Sequence, residues 1–466
     1  VYSSPVFGQE FTPPKPTQKW IEIRTANFRF FSNAGRSATR QVAVDLEELR
    51  AVLAELTDYD LQSPLPTYIF VFKSDRSFLP YKTLYEGRPA TVSGYFIAGD
   101  QANYIAINAD ARDASAIVYH EYVHNVANQN MWNLPVWFSE GLAQFYESFE
   151  VVGDTVHIGY PLPRHLVMLK GAVPIPLDQL FAVDRHSELY NESDRKGMFY
   201  SQSWALVHFL LLGNEERRQH LGNYLGLVRT GVQGDEAFNT AFSGDYESLT
   251  RELRGYLRTL RFPSIETKAS FDLDREFVVR NMPFAEVLYR LGDLLANQQP
   301  ERPERRAYFE SAIEVDPDYG EPISAMAIEA ERRANWTAAR TLHERAARTS
   351  PGNAMVLFRW GDFMSHRGGP FETAVEALTR STLLDPSFAP AWAALARVYA
   401  DAGDTSKVAV EAARKAHSLR PSDTRATRDL VRLYLRRDQR AEAVRLIEEA
   451  LHSDRRGQAD GWALVI

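Results

Sequence analysis

Cysteine is absent from all 466 positions of this chain. That absence excludes disulfides, thiol nucleophiles, iron–sulfur clusters and thiolate zinc sites. Long hydrophobic runs are missing too. The longest apolar stretches, such as residues 205–212, are short and contain His208. None approaches the roughly 18 apolar residues that a membrane helix needs. Nor is there an excess of positive charge: 53 Lys and Arg stand against 61 Asp and Glu, a net charge of −8. Without a basic field to neutralise phosphates, nucleic acid is not an expected partner. A cysteine-free chain suits oxidising and reducing surroundings alike. The Pro-rich start, with Pro13, Pro14 and Pro16, and the first residue Val1 suit the tether left after signal-peptide removal. The expectation is therefore an exported protein, periplasmic or extracellular.

What is present falls into two grammars. From residue 286 onward an internal repeat runs through the chain. Prolines recur at Pro317, Pro351, Pro386 and Pro421, spaced 34, 35 and 35 residues apart. Small residues keep the same beat at Ala339, Ala374, Ala409 and Ala443, and again at Ala312, Ala346, Ser381, Ala416 and Ala450. A helix pair with small residues at its crossing, closed by a Pro that stops the second helix, has this period. Trp392-x-x-Leu395-Ala396-x-x-Tyr399, followed by Ala409, Ala416 and Pro421, resembles the tetratricopeptide repeat, with Ala in place of its usual Gly. Five repeats are counted, beginning near Glu286, Pro322, Ala354, Ala389 and Thr424. The first carries a long Pro-containing turn at residues 299–303, and the fifth lacks the closing Pro. Their apolar positions read as core. The arginines at 425, 428, 432, 436, 437 and 440 alternate with Asp429, Asp438, Glu442 and Glu448 and read as a solvated helix face. Such solenoids commonly offer a groove to a peptide or protein.

Residues 17–262 follow other rules. Residues 20–25 and 28–32 alternate as a strand pair, and Tyr68-Ile69-Phe70-Val71-Phe72 is a short apolar strand. Residues 94–97 and 104–107 form two further strands around a polar turn. Helical spacing covers residues 43–56, 114–127, 136–147, 197–212 and 222–229. The layout is α+β, strands first and helices after. The expected organisation is a tail at 1–16, this domain at 17–262, a linker at 263–285 and the repeats at 286–466.

The chemistry concentrates in His120-Glu121-Tyr122-Val123-His124, on a helix for which Asp113 is a candidate cap. Positions i and i+4 share one helix face, so both imidazoles can converge on one metal ion. Glu121 lies one step round, placed to reach a metal-bound water as general base. With 11 histidines in the chain, chance yields about 0.02 such motifs. A third ligand is offered by Glu140, in Leu134-Pro135-Val136-Trp137-Phe138-Ser139-Glu140-Gly141-Leu142-Ala143. Pro135 suits a first helical position and Asn133 its cap, while Gly141 and Ala143 allow close packing against the histidine helix. A His2Glu set leaves one position open, as catalytic zinc sites do. The other histidines are isolated in sequence and read as surface or core residues.

These two segments together resemble the gluzincin zinc metallopeptidases, in particular the bacterial peptidase MA-like families, over roughly residues 20–215. The resemblance implies a thermolysin-like peptidase domain, with His120, His124 and Glu140 holding one zinc ion and Glu121 as general base in peptide-bond hydrolysis. It also points to Tyr200, in Phe199-Tyr200-Ser201-Gln202-Ser203-Trp204, as a donor to the developing oxyanion. By family architecture the strand at residues 104–107 is the edge that pairs with an extended substrate. The Gly-x-Met-x-Asn signature of the aminopeptidase branch is absent, so an endopeptidase is expected. Gln144, Asn125 and Glu147 are alternative partners for the ligand histidines. An alternative reading is a catalytically weak or inactive peptidase-like scaffold in which the repeats mediate assembly. The intact set of ligands and base favours the enzyme.

Overall fold

The computed structural model describes residues 13–453 apart from 58–60, 62, 64, 86–87, 112, 132–133, 172, 192, 233, 243–244, 260–261, 269–276, 300 and 422. The chain is mostly helical around a mixed sheet. The first part runs β1 (Ile21–Arg24), β2 (Phe28–Ser32), α1 (Arg36–Leu56), β3 (Thr67–Phe72), α2 (Asp75–Phe78), β4 (Leu84–Tyr85), β5 (Arg88–Pro89), β6 (Gly94–Ala98) and β7 (Asn103–Asn108). Then come α3 (Ala114–Asn130), α4 (Val136–Tyr146), β8 (Glu150–Val152), β9 (Thr155–Ile158), α5 (Pro163–Gly171), α6 (Leu177–Phe181), α7 (Glu188–Asn191) and α8 (Ser193–Leu212). The helices α9 (Glu215–Arg229), α10 (Gly234–Phe242) and α11 (Tyr246–Arg258) follow, and then β10 (Ile265–Lys268) and β11 (Val278–Asn281).

The main sheet has the order β11-β1-β2-β3-β7-β6. Its centre, β2-β3-β7, is parallel, and the flanking pairs are antiparallel. Helix α1 makes the crossover from β2 to β3, so strands and helices alternate here rather than following in blocks. Every residue of β3 is buried. Side chains alternate across a strand, and here both faces are covered. Ile69, Val71, Ile105 and Ile107 join the core shared with α1, α3, α4 and α8. Tyr68, Phe70, Phe72, Tyr104 and Ala106 face the other way. That double burial explains the unbroken apolar run at 68–72.

The second face is covered by the start of the repeats. These comprise α12 (Phe284–Gln298), α13 (Glu304–Val315), α14 (Gly320–Arg332), α15 (Trp336–Thr349), α16 (Ala354–His366), α17 (Phe371–Leu384), α18 (Ala389–Ala402), α19 (Lys407–Leu419), α20 (Thr424–Arg436) and α21 (Arg440–Ser453). They pair in sequence as helix hairpins, as the 34–35-residue period predicts. Each closing proline stands two residues past a second helix: Pro317 after Val315, Pro351 after Thr349, Pro386 after Leu384 and Pro421 after Leu419. Where helices cross, a side chain has no room. A Cβ on Gly361 would come within 2.6 Å of Leu378.

The described parts of residues 263–285, a segment expected as a linker, are built into the fold. Strand β10 pairs with β9, and β11 pairs with β1. Val287, Leu288, Leu291, Leu294 and Leu295 of α12 share one core with Phe31, Phe70 and Phe72. Tyr104 donates to Asp293 at 2.8 Å, and the hydroxyls of Tyr81 and Tyr308 meet at 2.6 Å. The first repeat is thus the second layer of the sheet domain.

Candidate metal centre

Two helices build the site. Helix α3 carries His120 and His124 one turn apart, and their Nε2 atoms lie 3.0 Å from each other. Asp113 occupies the N-cap position of α3 without making a side-chain cap bond. Helix α4 begins at Val136, with Pro135 as the residue before it; Asn133 lies outside the described residues. Glu140 Oε2 stands 3.4 Å from the Nε2 of each histidine. The three donor atoms form a near-equilateral triangle, and this oxygen is buried with no hydrogen-bond partner. Tetrahedral zinc with ligands at about 2.0–2.2 Å separates them by about 3.3–3.6 Å. The two Glu140 spacings fall in that range, the 3.0 Å between the imidazoles is a little shorter, and the donor chemistry fits that ion.

The face of α4 that supplies Glu140 also orients the imidazoles. Glu147, just past the end of α4, accepts from His120 Nδ1 at 2.8 Å, while Ser139 Oγ lies 3.1 Å from His124 Nδ1. Gln144 approaches His120 Nδ1 at a longer 3.4 Å. Arg164 of α5 pairs with Glu147 and donates to Gln144 at 3.2 Å. Of the three alternatives that the sequence left open, Glu147 therefore makes the short contact. Asn125 is engaged elsewhere, accepting from Gln129 at 3.1 Å. Gly141 packs α4 against α8 rather than against α3: a Cβ there would come within 2.4 Å of the Ser203 carbonyl oxygen.

Glu121 is half-buried beside this set and accepts from the backbone N–H of Phe96 in β6. Burial raises its pKa, an effect that the adjacent imidazoles oppose. Glu140 moves the other way. Burial alone would raise it, but His124 and His120 hold it well below the usual carboxylate range. The histidine side responds in kind. Burial disfavours the charged form of His120, yet the contacts with Glu140 and the nearby Glu121 raise its pKa. The pocket's electrostatics favour positive charge among the three donors.

Strand β6 is the free edge of the sheet, whereas β7, expected as the substrate-pairing edge, lies between β3 and β6. The correction has a plain cause. Both strands were legible, but edge position depends on partners supplied by distant segments. Tyr200 lies on α8, hydrogen-bonded with Tyr190 of α7. Tyr190 in turn donates to Glu140 Oε1 at 3.0 Å. The sequence reading missed Tyr190, Ser139 and Arg164. Tyr190 is 50 residues from Glu140 in sequence, and no spacing rule links them.

No known protein-family profile matches the chain, and no curated protein matches it. Among solved structures it is similar to MamA from Desulfovibrio magneticus RS-1 (19% identity, TM-score 0.31, covering 37% of this chain and 95% of that one). It is also similar to YrrB, described as a TPR protein with an unusual peptide-binding site (16%, 0.31, 36% and 86%). A third is PilF of Pseudomonas aeruginosa (19%, 0.32, 35% and 73%). The repeat architecture itself rests on the helix pairing and period of this chain.

Proposed function

We propose that the chain is a zinc-dependent peptidase, an endopeptidase whose helix-hairpin repeats bind a protein or peptide partner. One observation carries the reading: the buried, unpartnered Oε2 of Glu140 completes a triangle with the Nε2 atoms of His120 and His124. Without a cation, that oxygen meets the imidazoles only at a long 3.4 Å, a weak substitute for a short bond to a buried acceptor. Zinc, when bound, supplies Lewis-acid polarisation and an acidified water. Glu121, half-buried beside the triangle, would accept the proton at its carboxylate. Its contact with Phe96 also sets it against β6, an outer strand of the sheet, where an extended peptide could pair. Glu147 and Ser139 hold the imidazole rings in orientation. Tyr200, paired with Tyr190 beside Glu140, is the proposed phenol donor to the developing oxyanion.

The experiment is zinc content by elemental mass spectrometry, run on the native chain and on His120→Ala, followed by a peptide-cleavage screen. About one zinc per chain, lost in the variant, is expected. A native chain that takes up no zinc even when supplied with it would overturn the reading.

A further inference from the structure

Between the sheet and the repeats lies a cavity of about 510 Å³, walled by Tyr68 and Tyr104 on one side and by residues of α12, α14 and α16 on the other. Arg290 of α12 lines it and is only 6% exposed. Its guanidinium sits 5.0–5.2 Å from the rings of Phe31, Tyr68 and Tyr289. Its Nε has no hydrogen-bond partner, and the carboxylate paired with it, Glu321, stands 3.7 Å away, beyond hydrogen-bond range. Arg359 of α16 lines the same cavity. It donates from Nε to Gln101 at 2.9 Å, yet its buried Nη1 is also unpartnered.

A guanidinium taken out of water is expensive unless an acceptor meets its fixed fork of donors. Ring faces offset that cost only in part. Three acids line the cavity, Asp293, Glu321 and Asp385, and Asp293 acts on Arg359 through its charge, but neither guanidinium is met by a carboxylate at hydrogen-bond distance among the described residues. Asp293 is engaged by the Tyr104 hydroxyl, and Glu321 is too distant. At the mouth, Arg24 and Arg29 add positive charge but are paired with Glu22. The unmet groups are all donors, so the missing partner is an acceptor, and a carboxylate matches a guanidinium best. A second cavity of about 190 Å³ shares the wall at Asn27, Pro66, Asp385 and Phe388 and reaches Asn125 and Gln129 of α3. With their shared wall, the two cavities form a polar trough whose side-chain amides, Asn27, Gln101, Asn125, Gln129 and Asn297, suit a peptide backbone.

We propose that this trough binds an extended acidic peptide segment of a protein partner, with a carboxylate seated on Arg290 and Arg359. The proposal deepens the reading of the repeats as a binding surface and is independent of the metal centre.

The test uses the full-length protein and fluorescein-labelled decapeptides of alternating Glu and Ser or of alternating Gln and Ser, each as free acid and as amide. Fluorescence anisotropy is expected to show the Glu peptides binding at least tenfold more tightly than the Gln–Ser amide. Binding of both Glu peptides assigns the seat to an acidic side chain. Preference for the free acids, the Gln–Ser acid included, assigns it to a chain terminus. Arg290→Met is expected to weaken that binding at least tenfold without lowering the melting temperature, since it removes an unmet buried charge. Arg359→Gln, a gentler change, is expected to weaken it about threefold or more, and Glu321→Gln to tighten it. Equal binding of all four peptides would overturn the acidic preference while leaving a peptide groove. No binding by any of them would overturn both. Unchanged binding in Arg290→Met, or a melting temperature lowered by it, would show that Arg290 is a structural residue.

Discussion

Glu121, Glu140 and Glu147 lie within one small volume, yet each has a different task because each has different neighbours. Glu140 faces two imidazoles that favour its charged form, Glu147 meets a ring nitrogen and pairs with Arg164, and Glu121 stands outside the triangle. Glu121→Gln preserves shape and metal ligands, so it is expected to keep about one zinc per chain. Losing a general base should lower kcat by about 10²–10⁴-fold. Metal content beside a peptide-cleavage rate checks both halves of that expectation. Glu147→Gln removes the charge behind His120 while leaving all three ligands in place. Zinc affinity should fall by about 10–100-fold, read by competition with a chelator. Equal affinity in that variant would mean that Arg164 and Glu147 serve packing alone.

At the scale of elements, the site is a consequence of how α4 is held. Glu140 and Ser139 come from this helix and Glu147 from its C-terminal end, while Gly141 lets the helix press on α8. Gly141→Ala would drive a methyl group into the Ser203 carbonyl. Overpacking of this kind costs about 1–3 kcal/mol. The shift should also carry Glu140 away from the histidines, so thermal melting and zinc titration should worsen together. The helices were legible in sequence because their spacing and small residues are local signals. The direction of Gly141 was not, since a glycine shows only that something comes close, never which neighbour does.

Over the whole molecule, the solenoid is not an appendage. Phe31, Phe70 and Phe72 from the sheet and Leu288, Leu291 and Leu294 from α12 lie in one core. Burial of such side chains is worth about 1.5–3 kcal/mol each. Six of them rival the net stability of a typical domain, about 5–15 kcal/mol. A chain ending at residue 285 is therefore expected to aggregate on purification, whereas one ending at residue 352 keeps the first two helix hairpins and should remain monodisperse. Size-exclusion chromatography separates the outcomes, and a well-behaved chain ending at 285 would mean that the repeats merely abut the sheet.

The sequence by itself determined the repeat hairpins and marked the residues of the candidate metal centre. The repeat period, the His120–His124 spacing and the Glu140 segment are local patterns, set by the pitch of a helix and the length of a hairpin. Only the tertiary structure decided which strand is the edge, which acid supports His120, that Tyr190 meets Glu140, and that α12 closes the sheet. Each of these depends on contacts between segments far apart along the chain. Helical pitch is written into every few residues, but the pairing of distant surfaces is settled only when the apolar faces they share are buried together.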